Sequence, residues 1–243
     1  MPINSDRPSN GVSSSTNPNS QSFLIPRDQR RRFFIQFTLM SILGWVVGGI
    51  ASIAVEKTIA EVLSPAVVQQ PTWYALGKYT SSVAFAAIFS ADQALVLRQY
   101  VSGWLWMIGT SIGWLISSGV SAAWINYISS IALSFDRMLT FEETAILGIL
   151  STLAYILSGI WLGFCQWLVL QRYTPKTWWW NFLPSISFLF ISISVWLLSL
   201  VQEFISVVNR DQVLYLSEQG ITAVILGVTP AIGLCVLKRG VRV

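Results

Sequence analysis

Residues 27–54 read RDQRRRFFIQFTLMSILGWVVGGIASIA, and this stretch decides the fold. A basic run leads into 22 residues, 33–54, without one charge. A bilayer's hydrocarbon core is about 30 Å thick and takes roughly 20 helical residues to cross. The segment therefore reads as a transmembrane helix. A signal peptide has the same order of basic and apolar parts, and Ser52-Ile53-Ala54-Val55 weakly resembles a cleavage site. The long region before the run and the length of the apolar core favour a retained span.

Outward from this helix, five more apolar runs are long enough to cross: 73–97, 104–124, 145–170, 178–200 and 220–237. The third has apolar length to continue toward Leu133. Composition agrees, since 53% of the chain is hydrophobic and 11% is charged. Soluble domains carry about 25% charge, so an ordinary soluble fold is excluded. Two cysteines cannot staple 243 residues, which excludes a disulfide scaffold. The predicted fold is all-α: a polytopic six-helix transmembrane bundle.

Before the first span the chain is a different material. SNGVSSSTNPNSQS has no apolar periodicity and cannot bury enough surface to fold, so residues 1–26 read as disordered. With the basic run they form a tail, 1–32, ahead of the spanning domain, 33–243. An N-terminus in the cytoplasm puts 11 of the 15 basic residues on that side: Arg7, Arg27, Arg30, Arg31, Arg32, Arg98, Arg172, Lys176, Lys238, Arg239 and Arg242. Lys57, Lys78, Arg137 and Arg210 fall opposite. That asymmetry marks the cytoplasmic face and, with six spans, returns both termini to it. The net charge of +4 then reports orientation and asks for no nucleic-acid partner. The 27–32 cluster also suits anionic lipid headgroups. Trp73, Tyr74 and Tyr79 at one boundary read as an aromatic belt, as do Tyr100, Trp104, Trp106, Tyr173 and Trp178 to Trp180 at the other.

The strongest internal signal is a repetition. QALVLRQY at 93–100 returns as QWLVLQRY at 166–173, identical at five positions. Each copy closes an inward-going span and precedes a short loop and a Trp-rich start to the next. GLCVLKRG at 233–240 is a weaker third copy, with Gly233 where the glutamines stood. The bundle is thus read as repeated parallel hairpins, spans two–three and four–five, with spans one and six as halves of a third. An amide in lipid must find partners, so Gln93 and Gln166 read as packing groups or as parts of a polar site.

This Q-x-L-V-L-[RQ] element beside a Trp-rich hairpin resembles a group of multi-spanning membrane proteins found largely in cyanobacteria, in which Q-W-L-V-L-R recurs. Gln166 to Gln171 match it with Gln171 where Arg is usual and Arg172 following. Gln93 to Arg98 match with Ala94 in place of Trp. The likeness spans roughly residues 80–200. It implies a thylakoid or plasma membrane and adds no catalytic residue.

Other candidates are few. Gly44/Gly48, Gly109/Gly113 and Gly159/Gly163 are GxxxG pairs, where another backbone can approach closely. Their partner is a helix of the same chain, a second copy or another membrane protein. Pro184 and Pro230 can kink their helices. Asp92 is the one acidic residue inside a span. It reads as an interfacial carboxylate or a proton or cation site, with Arg98 about 9 Å along the helix. The chain has no histidine, which removes the commonest general base, metal ligand and axial haem ligand. No nucleotide-binding, hydrolase or metalloprotease motif occurs. No enzyme activity, metal or cofactor is expected, although Gln or Asp can ligate pigment. The expected function is an accessory, assembly or scaffolding role through helix packing. The alternative is a small-solute or ion transporter or channel built on Asp92, Gln93, Gln166 and Pro230.

Overall fold

A computed structural model describes residues 23–62, 71–135 and 138–239. The Ser/Asn-rich part of the tail lies outside the described residues, as do Asp6, Arg7, Asp136, Arg137 and Arg242. Six long helices follow one another: α1 (Arg30–Val62), α2 (Pro71–Leu97), α3 (Gly103–Ser134), α4 (Phe141–Leu170), α5 (Leu183–Val201) and α6 (Arg210–Val236). Short 3₁₀ turns, Trp178–Phe182 and Gln202–Phe204, flank α5. All six spans are long and apolar enough to cross a membrane, the fifth with its flanking turns included. Large apolar side chains such as Leu39, Ile50, Leu157 and Trp196 point outward, as a lipid solvent requires.

The helices outrun the apolar segments. α1 has 33 residues and α3 has 32, each about 50 Å at 1.5 Å per residue. Arg30, Arg31 and Arg32 form the first turn of α1 and do not precede it. α6 starts ten residues before the predicted span, because RDQVLYLSEQ is helical yet too polar for hydrocarbon. α4 starts at a capping box: the Thr140 side chain accepts from the Glu143 N–H, and the Glu143 carboxylate accepts from the Thr140 N–H. Trp104 and Trp124 stand 20 residues apart on α3, about 30 Å, and both are exposed. They bracket one hydrocarbon thickness.

Each helix packs on its neighbours in sequence, and α6 closes on α1 to complete a ring. Both ends of the described chain meet at one face of it. Phe23 and Lys238 form an antiparallel bridge, and the Leu24 N–H donates to the Leu237 carbonyl at 2.8 Å. Leu24 and Ile25, predicted to belong to the disordered tail, are therefore packed, buried with Phe33, Phe37, Leu97, Leu170 and Leu234. FLIP is an apolar island too short for periodicity to reveal. A second cluster lies nearer mid-bundle, around Phe89, Leu162, Phe188, Ile191 and Leu226. No described residue of α4 before Ser158, or of α5 after Ile191, is buried.

Candidate functional site

Gln93 and Gln166 are buried, and each is held in the same way. The Gln93 Oε1 accepts from the Trp106 indole N–H at 3.3 Å, and its Nε2 donates to Ser41 Oγ at 3.3 Å. The Gln166 Oε1 accepts from the Trp180 indole N–H at 2.9 Å, and its Nε2 donates to Thr110 Oγ1 at 3.3 Å. Both amides thus clasp a hydroxyl on the preceding helix and an indole at the start of the next outward segment. Such bonds contribute about 0.6–2 kcal/mol each in lipid. Trp106 and Thr110 lie one turn apart on α3, so α3 belongs to both clasps. The two indoles touch edge to face, 6.2 Å between centroids.

The closing tyrosines add a second parallel. Tyr100 donates to Gln29 Oε1 and Tyr173 accepts from the Ser102 N–H, both at 3.0 Å and both reaching 71 residues back. Burial raises the Tyr100 hydroxyl above its ordinary range, Arg32 opposes and Asp28 adds, so it donates as a neutral phenol. In the third copy the amide position is Gly233. A Cβ there would stand 2.6 Å from Leu183 Cδ2 and 2.9 Å from the Trp180 ring, which leaves no room for a glutamine.

Aromatic-belt positions divide by face. Trp104 and Trp178 are 66% and 65% exposed, whereas Trp106 and Trp180 are fully buried. Two residues along a helix turn the side chain by roughly 200°, so the belt reading fails for Trp106 and Trp180. Deeper in, Trp45, Phe85, Phe89, Trp114, Tyr155 and Phe188 pack ring against ring at 4.7–6.4 Å. They come from α1 to α5, and α6 adds Leu226 and the Gln219 Oε1 that accepts from the Trp45 indole N–H at 3.1 Å.

Asp92 does not join Gln93 and Gln166. It lies in the α1–α2 seam, where a Cβ on Gly44 would come within 2.9 Å of its Oδ2. Among the described residues it has no hydrogen bond, and no ion pair links it to Arg98. Its counterpart in the second copy, Cys165, lies against Gly113.

The six predicted packing glycines all face a chain neighbour. Gly44 and Gly48 meet Phe89, Asp92 and Phe85 on α2; Gly109 and Gly113 meet Leu162, Cys165 and Val169 on α4. Gly159 meets Pro184 and Ser185, and Gly163 meets Asn181. Gly227 sits on Thr38 and Ser41 and closes the ring. Pro184 falls in the first turn of α5, where a missing N–H leaves no gap, and Pro230 lies inside α6. On α5, Ser187, Ser192, Ser194 and Ser199 bond back to carbonyls of their own helix.

What remains outside is apolar. A groove of about 640 Å³ runs between α3 and α4, walled by Trp124, Tyr127, Leu153 and Trp161. Smaller grooves follow the α5–α6 seam (about 470 Å³) and the α1–α2 seam (about 370 Å³), the last with Gln36 and Gln99 in its wall. Among the described residues no cluster of His, Cys, Asp or Glu could hold a metal ion. No protein family, curated protein or solved structure matches the chain.

Proposed function

We propose that the chain is an integral-membrane accessory or assembly protein that acts through helix packing and performs no chemistry of its own. The carrying observation is the internal packing between the helices. Aromatic side chains from five helices pack together, and Gln93 and Gln166 have both amide ends bonded within the bundle. A solute path needs free polar groups along a cavity, and this arrangement uses them internally. The contact surface left for another membrane protein or a second copy is the set of outer grooves, the α3–α4 groove foremost. The small-residue pairs do not serve that purpose, because all six glycines are occupied by neighbouring helices.

Solubilised in mild detergent from its native membrane, the chain is expected to co-purify with a partner, or as a homo-oligomer, at fixed stoichiometry. A lone monodisperse chain would overturn this reading. The second reading, transport, rests on the Asp92 carboxylate, which has no described partner. Proteoliposomes should give no cation or proton flux with either the native chain or Asp92→Asn. Flux that disappears only in the variant would establish transport.

The membrane we infer is a thylakoid or plasma membrane, in keeping with the Q-W-L-V-L-R likeness, with both termini cytoplasmic by the basic-residue asymmetry. A membrane-impermeant thiol reagent added to intact cells or right-side-out vesicles should label Glu142→Cys and spare Ser15→Cys. The opposite pattern would invert the topology.

A further inference from the structure

At the face where the two ends of the chain meet, two arginines stack on one aromatic ring and a lysine pairs with it through the backbone. The Arg30 guanidinium carbon stands 4.0 Å from the Phe23 centroid and that of Arg27 stands 5.3 Å from it. Lys238 is the bridge partner of Phe23, and the side chains of a bridged pair share one side. Arg30 is the unusual member. Its Nε and Nη2 are buried without a hydrogen-bond partner, which leaves Nη1 as the open edge of the fork. The ion pair among the described residues is Lys57–Glu61, far along α1, so no described carboxylate neutralises this group. Asp28 is exposed in the intervening turn, and Cys235 is within electrostatic reach of Arg30. A guanidinium stripped of part of its hydration and denied a counter-charge favours an incoming anion.

We propose that Arg27, Arg30 and Lys238, gathered around Phe23, bind a phosphate group, that of an anionic phospholipid in the leaflet beside the two termini. The exposed Arg27 guanidinium offers a planar fork that matches phosphate oxygens, Arg30 offers its Nη1, and the Lys238 ammonium supplies a point charge. The Phe23 ring holds both arginines in place, where free side chains would extend separately into water. The level also fits. Leu24 and Ile25, next to Phe23, are buried in the cluster that closes the terminal face of the bundle. The Phe23–Lys238 pairing that builds the site ties the start of the chain to its end, so a bound lipid would stabilise that junction.

The test uses the full chain in maltoside micelles. Thermal unfolding is followed by tryptophan fluorescence, and retained lipid is counted by native mass spectrometry. Dioleoylphosphatidylglycerol should raise the midpoint and stay bound; dioleoylphosphatidylcholine should not. Arg27→Gln, Arg30→Gln and Lys238→Gln should each weaken retention about tenfold, as loss of a charge-assisted bond does. Arg27→Lys keeps the charge without the fork and should also weaken it. Arg31→Gln and Arg32→Gln should retain the lipid. Inorganic phosphate is added alone as a separate arm. A shift equal to that with phosphatidylglycerol keeps the phosphate site and makes solution its source. Equal effects of the two lipids would overturn the proposal. So would equal losses at positions 31 and 32, because attraction would then be diffuse.

Discussion

Trp180→Ala should destabilise the bundle more than any other single truncation of a side chain. Trp180 is fully buried, packs on Trp106, and stands over Gly233. Removing a buried tryptophan costs about 3–5 kcal/mol through lost contacts and a cavity that cannot collapse. In lipid this packing loss counts in full, because van der Waals contact is a main force between helices there. The change also strands Gln166 Oε1, which accepts from the indole at 2.9 Å, adding about 1–3 kcal/mol. Against a total stability of about 5–15 kcal/mol, the variant should be marginally folded. Reversible unfolding in mixed detergent micelles measures it. Trp178→Ala is the control: its ring is exposed, and the change should stay within about 0.5 kcal/mol. Equal losses at 178 and 180 would refute the clasp.

Gly163→Leu comes second and fails for the opposite reason, excess volume. A Cβ at residue 163 would overlap the backbone of Asn181, and backbone has no rotamer to yield. Overpacking generally costs about 1–3 kcal/mol, and a clash with main chain lies at or above that limit. α4 would have to separate from the 3₁₀ turn that carries Trp180. The variant should be recovered at a small fraction of native yield, and Gly163→Ala should fold with a lowered midpoint. Gly148→Ala gives the contrasting sign. Nothing lies within 4 Å of a Cβ there, so the gain in helix propensity should leave stability unchanged or raised. Similar behaviour at both glycines would mean that α4 does not seat on Asn181 as described.

The six spans were legible because lipid imposes a length and a polarity on any crossing helix, and 33–54 meets both. The paired glutamines were legible because two octapeptides identical at five positions close two spans. Their partners were harder to find. Ser41 lies 52 residues from Gln93, and no local pattern joins them. Trp106 could have been separated from Trp104, and Trp180 from Trp178, by helical phase alone. Reading all of them as a belt overlooked the half of each pair that turns inward. Gln219 carried no signal, since an amide in the polar start of α6 is ordinary until Trp45 is known to face it. Asp92 was conspicuous in sequence yet stands apart from both clasps, because its phase on α2 puts it in the α1 seam while Gln93 faces inward.

The clasp shared by α3 bears on how the ring is built during synthesis. Gln93 can close on Ser41 and Trp106 once the third helix has emerged, so the first three helices have a polar lock of their own. The second lock uses Thr110, already fixed on that same helix, and waits only for Trp180. The two locks thus share one helix, which sets the second hairpin against the first. The bond from Leu24 to Leu237 cannot form until the last helix is finished, although its donor is made near the beginning. The joining of the two ends is thus the final step, and the segment around Phe23 stays without its partner through all the earlier ones.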